Sequence, residues 1–239
     1  MDAESVDRSP RLPPAMAGAS RVVIRETPLF CLPQRALWIP SLDALLVADL
    51  HWGKAATFRA AQIPVPMGTT TADLERLTIA LHGTAASRLI ILGDLLHAAT
   101  GWHASTEAAV AQWRDRHPLL DITLVRGNHD QRAGDPPSTL GIQCIDGPIN
   151  LGPFLGMHEP APGSDDHYVL CGHVHPSASL RGRGRQSLRL PAFVLGASRG
   201  ILPAFSSFTG TGMYQYETGD RLYAIAGDEV VPVRGSEAR

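Results

Sequence analysis

The sequence predicts an α/β protein with a parallel-rich core in its first half and a second sheet in its second half. Three observations carry this reading. The short apolar runs at residues 44–48, 89–92 and 122–125 lack regular polar alternation, the pattern of strands buried on both faces. Segments of helical periodicity separate them, so the order is strand, helix, strand, helix, strand. Beyond Asp130 short strand-like pieces follow one another with few helices between them, which suggests a second sheet packed against the first.

The first pieces, Val22-Val23-Ile24 and Ala36-Leu37-Trp38-Ile39, are separated by Pro28 and Pro33 and look like an opening hairpin or edge pair. Ala44-Leu45-Leu46-Val47-Ala48 is the first buried strand and ends in Asp49-Leu50-His51. In extended geometry residues two apart share a face, which lets Asp49 and His51 point at one centre. Residues 54–62 are helix-like and stop before the rigid connection Ile63-Pro64-Val65-Pro66-Met67-Gly68. Thr71 can cap a helix carrying Leu74, Leu77 and Leu81 on one face. Leu89-Ile90-Ile91-Leu92 then leads into Gly93-Asp94-Leu95-Leu96-His97. Residues 105–117 form another amphipathic helix, with Ala108, Ala111 and Trp113 suitably spaced and Pro118 closing it. The third strand, Ile122-Thr123-Leu124-Val125, opens into Arg126-Gly127-Asn128-His129-Asp130. After it, residues 142–145, 154–157, 168–171, 188–195, 213–216 and 222–225 read as short strands, two of them ending in Met157-His158-Glu159 and Gly172-His173-Val174-His175.

A chain of 239 residues, 44% hydrophobic and 18% charged, is expected to form one domain over residues 21–232, because no linker-like stretch divides it. Residues 1–20 have no apolar core and are expected to be a disordered leader rather than a signal peptide, and residues 233–239 a frayed tail. The net charge of -2 excludes the global signature of a DNA-coating protein, so any nucleic-acid contact must be local. Cys31, Cys144 and Cys171 form no CxxC pair and read as thiols of a reducing cytoplasm. No uninterrupted apolar stretch is long enough to span a bilayer, so no membrane partner is expected.

The polar residues collect at five strand ends: Asp49 and His51, Asp94, Asn128 with His129, His158, and His173 with His175. Ligands of open α/β sheets bind beyond the carboxyl ends of strands. Carboxylate, imidazole and amide groups without thiolate suit divalent ions such as Mn, Fe or Zn. Seven candidate ligands, Asp49, His51, Asp94, Asn128, His158, His173 and His175, are too many for one tetrahedral ion and fill two sites if a carboxylate bridges. The glycines before Asp94, Asn128 and His173 fit a sharp turn out of the strand. His82, His103, His117 and His167 lack this context and read as solvated or helix-end residues. Gly196-Ala197-Ser198-Arg199-Gly200 matches a nucleophile elbow, but no histidine follows His175 to serve it. The arginines of residues 181–189 read first as a solvated turn and second as a phosphate-backbone contact.

The ordered set DxH, GD, GNH with a following acid, a lone histidine and GHxH resembles the calcineurin-like metallophosphoesterase superfamily. More narrowly, Ala48-Asp49-Leu50-His51-Trp52-Gly53-Lys54, Gly93-Asp94-Leu95-Leu96-His97, His158-Glu159-Pro160 and Leu202-Pro203-Ala204-Phe205 resemble the bacterial ligase-associated DNA damage response endonucleases. The resemblance implies a four-layer α-β-β-α sandwich and two divalent ions, Mn2+ first. It also implies a partition of ligands: Asp49, His51 and His175 on one ion, Asn128, His158 and His173 on the other, Asp94 between. Hydrolysis would proceed by in-line attack of a metal-bound hydroxide on phosphorus. His129 would protonate the leaving oxygen, with Asp130 orienting its ring. Many relatives have an acid where this chain has His97, so metal, second-shell and substrate roles all stay open for it. Lys54 and Arg199 are candidate substrate contacts. The implied substrate is DNA or another phosphodiester, in functional company with a DNA ligase, a helicase and an exonuclease of DNA repair. A hydrolase of nucleotides or small phosphate esters is the alternative, and a non-catalytic scaffold a third reading that the complete ligand set disfavours.

Overall fold

The computed structural model describes residues 16–65, 68–181, 187–210, 212 and 214–233. Strands β1 (Ser20–Ile24) and β2 (Thr27–Cys31) pair antiparallel around Arg25 and Glu26, both at positive φ, the turn geometry that matches the twist of a hairpin. β3 (Leu37–Ile39) and β4 (Ala44–Val47) continue the meander, and from β4 the sheet turns parallel through β5 (Arg88–Leu92), β6 (Asp121–Val125) and β7 (Ile142–Ile145). The seven strands lie in sequential order. The opening is therefore three antiparallel strands leading to β4 rather than one hairpin, with Pro28 inside β2 at a point where β3 supplies no partner.

Helices α1 (Lys54–Ala60), α2 (Thr69–Thr84) and α3 (Ala104–Arg116) follow the expected segments. Helix α2 starts ahead of Thr71, because Gly68 at φ +79 turns the chain into it three residues before the expected cap. Leu74, Leu77, Leu81, Val110 and Trp113 of α2 and α3 pack on Leu45, Val47, Leu89, Ile91, Ile122 and Leu124. The alternate residues Leu46, Ile90, Leu92 and Val125 face the other way and meet Phe154, Tyr168, Leu170, Phe193 and Leu195 of a second sheet. That two-sided burial is why these strands carry no polar alternation. A short helix, α4 (Asn128–Ala133), begins where the sequence reads only a polar turn.

The second sheet contains β8 (Ile149–Leu151), β9 (Phe154–Gly156), β10 (Tyr168–Cys171), β11 (Ser177–Arg181), β12 (Ser187–Leu195), β13 (Arg199–Ile201), β14 (Arg221–Ala226) and β15 (Glu229–Val233). Its order is β15-β14-β12-β13-β10-β9-β8, with β11 paired to β12, and β9, β10 and β13 run parallel. No strand forms over Tyr214–Tyr216, and Met213 lies outside the described residues. Instead Tyr214 and Tyr216 cover Val169, Cys171, Val194 and Ile201 on the outer face of this sheet. The architecture is the mixed α/β sandwich of the metallophosphoesterase type, its described helices all on the side of the first sheet. Met16 packs into the first core, and the Val230 N–H donates to the Gly18 carbonyl at 2.7 Å. Among the described residues no helix is long and apolar enough to cross a membrane.

Candidate metal centre

The chain beyond β4, β5, β6, β9 and β10 converges on one polar centre. Asp49, His51, Asp94, His173 and His175 all adopt positive φ, between 47° and 70°. Asp49 and His51 do share a centre, but β4 stops at Val47, and left-handed bends rather than a continuing strand aim them. Such conformations cost roughly 1–3 kcal/mol each and persist where surrounding bonds over-determine them. Those bonds are present. Asp49 N–H donates to the Gly93 carbonyl (3.1 Å), His51 N–H to the Asp94 carbonyl (2.8 Å) and His173 N–H to Asp49 Oδ2 (2.9 Å).

Three groups of candidate ligands result among the described residues, one of them His51 with His97 and His129, and the other two follow the expected partition. One atom each of Asp49, His51 and His175 lies within 4.8 Å of the others, and the same holds for Asp94, His158 and His173. Asn128 Oδ1 joins the second group at 3.1 Å from His158 Nε2. Asp94 stands between the groups, with Oδ1 3.4 Å from His158 Nε2 and Oδ2 3.9 Å from His51 Nε2. The His158 ring donates through Nδ1 to the Leu92 carbonyl at 3.0 Å, which leaves a lone pair on Nε2. Around that nitrogen converge Asn128 Oδ1, Asp94 Oδ1 and, at 3.0 Å, His173 Nδ1. His175 repeats the pattern: Nδ1 is 3.1 Å from the Gly210 carbonyl, and Nε2 faces Asp49 Oδ1 at 3.4 Å. Both ring nitrogens of His51 and Asp49 Oδ1 are buried without a hydrogen-bond partner. Buried polar atoms are ordinarily paired. Converging acceptors whose far sides are pinned to backbone carbonyls fit divalent ions.

The electrostatics agree with that fit. Burial, reinforced by Lys54 and the neighbouring imidazoles, lowers the His51 pKa to about 2, so the ring stays in its metal-binding neutral form. His97 is lowered to about 4 by burial, Lys54 and His129. Burial opposes a charge on His175 as well, but the hydrogen bond and charge of Asp49 outweigh it and raise its pKa. Burial raises Asp94, against the pull of His158 and the His129 N–H. Lys54, the first residue of α1, is lowered by burial against the opposing charges of Asp49 and Asp94.

His129 follows Asn128 in α4. Its N–H donates to Asp94 Oδ1 at 2.9 Å and its Nδ1 to the His97 carbonyl at 2.8 Å, so Nε2 is left toward the centre, 4.0 Å from Asp94 Oδ2. Asp130, expected to orient that ring, has its oxygens elsewhere. Oδ1 accepts the Leu96 N–H (3.0 Å) and Oδ2 the Gly127 N–H (2.9 Å), tying the start of α4 to the Asp94 loop. His97 lies beside His51 and His129, with a buried Nδ1 that has no partner. Arg199 is not brought to the centre: it pairs with Val169 at the start of β10, away from His173, and binds Glu217 and the Tyr214 hydroxyl. Gly196 and Arg199 close the β12–β13 turn, where the Ser198 carbonyl accepts the Val169 N–H. His82 and His117 meet at the helix ends with their rings tilted 56° apart, and Arg183 and Arg185 lie outside the described residues.

All three motif glycines leave room for a candidate ligand from another strand, and Gly93, at φ +78, makes the expected sharp turn as well, whereas Gly127, at φ -93, and Gly172 do not. A Cβ on Gly93 would lie 2.2 Å from His158 Nδ1. A Cβ on Gly127 would lie 2.3 Å from Asp94 Oδ1, and one on Gly172 would lie 2.6 Å from Asp49 Oδ2. The 204–208 segment, of which the motif Leu202-Pro203-Ala204-Phe205 gives only the start, supports the centre in a way that the motif does not reveal. Its Phe205 and Ser206 N–H groups bond the Ala48 and Asp49 carbonyls, and Arg35, Arg76 and the buried Asp73 clamp it. Charge pattern alone carries no sign of this.

No protein-family model and no curated protein matches the chain. Among solved structures, Pseudomonas putida nuclease MPE is 43% identical, with a TM-score of 0.78, over 90% of this chain and 100% of that one. YfcE, a phosphoesterase from E. coli, is 16% identical with a TM-score of 0.41, over 82% of this chain and 99% of that one. With 43% identity over 90% of its length, the chain belongs to the metallophosphoesterase family of nuclease MPE.

Proposed function

We propose that the protein is a DNA endonuclease that works with two divalent ions, manganese first and iron or zinc as alternatives. The observation that carries this reading is the convergence of His158 Nε2, His173 Nδ1, Asn128 Oδ1 and Asp94 Oδ1 on one point, beside a second group in which the His51 ring nitrogens have no partner. Asp49, His51 and His175 would hold one ion and Asn128, His158 and His173 the other, with Asp94 shared. Bound there, the ions would supply an acidified water and neutralise charge at phosphorus. The remaining steps fall to the chain's own residues. His129, pinned through Nδ1 to the His97 carbonyl, would act as the imidazolium, giving its Nε2 proton to the leaving oxygen and returning to the neutral ring. Lys54 sets its ammonium against a non-bridging phosphate oxygen. The likeness to a protein described as a nuclease supports a nucleic-acid substrate. The motif resemblance supports DNA, and a place in cytoplasmic DNA repair beside a ligase, a helicase and an exonuclease.

The test is purified protein with Mn2+ or a chelator, acting on circular single-stranded DNA, a nitrophenyl phosphodiester and a phosphomonoester. DNA cleavage that stops with chelator is expected. His129→Ala should keep its bound metal and lose roughly 10²- to 10⁴-fold in turnover. Monoester hydrolysis without DNA cleavage would replace the reading with a small-ester hydrolase, and normal turnover of His129→Ala would remove that residue from the chemistry.

A further inference from the structure

Four rings run outward from the metal centre without a break. His129 stacks on His97 (centroids 5.0 Å, planes 24° apart), His97 meets Phe58 (6.0 Å, 38°), and Phe58 meets Phe208 edge to face (5.7 Å, 87°). The inner two belong to the site already described. The outer two have no part in it and none in the core. Phe58 and Phe208 are partly exposed, and neither lies among the side chains of the four apolar clusters, whereas Phe205, three residues before Phe208, is fully buried in one.

Both rings sit on supported backbone. Phe58 lies in α1 four residues after Lys54, one turn along the same helix face. The start of α1 is seated against the backbone of Gly101 so closely that a Cβ on Gly53 would lie 2.2 Å from the Gly101 carbonyl oxygen. The Phe208 N–H donates to Ser206 Oγ at 3.2 Å, and the neighbouring Ser207 N–H donates to Asp73 Oδ1 at 3.2 Å.

We propose that Phe58 and Phe208 form a nucleobase subsite on the leaving-group side of the centre, taking the base of the nucleotide whose oxygen departs. The inference rests on the endonuclease reading above. Two perpendicular rings make a corner: a flat base lies with its π-face on one ring and its edge against the other. Such stacking tolerates any base, since every base has a π-face and neither ring offers a directed hydrogen bond. The order along α1 matches the order within a nucleotide, with the Lys54 ammonium toward the phosphate and the Phe58 ring one turn outward toward the base. His129, at the inner end of the ladder, fixes the side, because the proton it gives goes to the leaving oxygen.

The test is a double-mutant cycle between ring and base. Wild type, Phe58→Leu, Phe208→Leu and Phe58→Trp act with Mn2+ on oligothymidylate and on a strand of equal length built from tetrahydrofuran abasic residues. Each leucine variant is expected to lose about ten- to hundredfold in kcat/KM on oligothymidylate, the worth of one base–aromatic stack. Wild type should lose a like factor when the bases are removed, and on the abasic strand all proteins should agree. Phe58→Trp should keep oligothymidylate cleavage. Thermal melts identify a variant that fails to fold, and the other position then decides. Equal losses on both strands would mark a packing role and overturn the subsite, as would no loss on either. A wild-type protein that leaves both strands intact would overturn the endonuclease reading and the subsite with it; uncoupled variants of an active wild type overturn the subsite alone.

Discussion

One methyl group, introduced as Gly127→Ala, tests whether the metal centre depends on space left by glycine. At φ -93 the backbone of Gly127 accepts any residue, so alanine adds no conformational strain. What it adds is volume. The new Cβ would sit 2.3 Å from Asp94 Oδ1, 2.6 Å from Asp94 N and 3.0 Å from His158 Cδ2, and ordinary contact begins at 3.4 Å. Something must move by about 1 Å to restore ordinary packing distances. Asp94 is poorly free to move, because it is buried, accepts the His129 N–H at 2.9 Å and abuts His158 at 3.4 Å. The displacement therefore enters the ligand set. Overpacking of this kind costs about 1–3 kcal/mol. At about 2–4 °C per kcal/mol for a domain of this size, the melting midpoint should fall by about 2–12 °C. A ligand moved by about 1 Å should lower turnover about 10²-fold, and metal affinity by about ten- to hundredfold. Calorimetric Mn2+ titration, metal content after dialysis and a thermal melt together read all three. A folded Gly127→Ala protein with wild-type affinity and turnover would refute the reasoning.

Three further outcomes are expected. Asp130→Asn keeps one acceptor but aims an amide N–H2 at the Leu96 or Gly127 N–H, so urea melts should show a loss of about 2–3 kcal/mol, and coincident melts would deny the tie. The raised pKa of His175, set by Asp49 against the opposing effect of burial, makes protons compete with metal for the neutral ring, so affinity should fall as pH falls. Below that pKa the fall is up to about tenfold per unit, whereas His51, neutral down to about 2, adds nothing in this range. Mn2+ titrations at pH 8, 7 and 6 check this, and a pH-independent affinity would remove His175 from the ligand set. Asp73→Ala strips Arg76 of its 2.8 Å partner and Ser207 of its acceptor, and should cost about 3 kcal/mol. It should also loosen metal binding through the 204–208 segment; an unchanged melt and affinity would count against the clamp.

The first half of the fold was legible because its elements carry their own signals. β4, β5 and β6 are apolar on both faces, and α2 presents Leu74, Leu77 and Leu81 at helical spacing. The strands that escaped reading, β2, β8, β11, β13 and β15, are three to five residues long, and their conformation comes from partners rather than from composition. β15 even contains Pro232, which an edge strand tolerates. The seven candidate ligands were legible as chemistry at strand ends. Their supports were not, because the orienting groups are the carbonyls of Leu92, His97 and Gly210, and every residue has a carbonyl. Asp130 shows the limit most clearly. An acid beside a histidine invites the expectation of a pair, yet in α4 neighbours along the chain do not face one another, and a carboxylate three residues after the N-cap reaches back to its N–H.

The bonds that hold the centre also explain why its motifs occur as a set. Asp49 hangs from the Gly93 carbonyl, His173 from Asp49, His129 from Asp94, and Leu96 from Asp130, while the Gly172 N–H donates to the His158 carbonyl. Each motif is thus fixed by backbone or carboxylate of another, across both sheets. A strained left-handed residue such as His173 has no reason to keep its conformation once Asp49 is removed, and Asp94 loses its anchor if α4 shifts. Groups coupled in this way do not contribute independently, so single substitutions in different motifs share much of one loss. The same coupling fixes the outward ring ladder, since the His129 orientation that begins it depends on the loop bearing Asp94 and His97. Geometry at the metal ligands and geometry at the substrate side therefore stand on one network, and a change in either is felt by both.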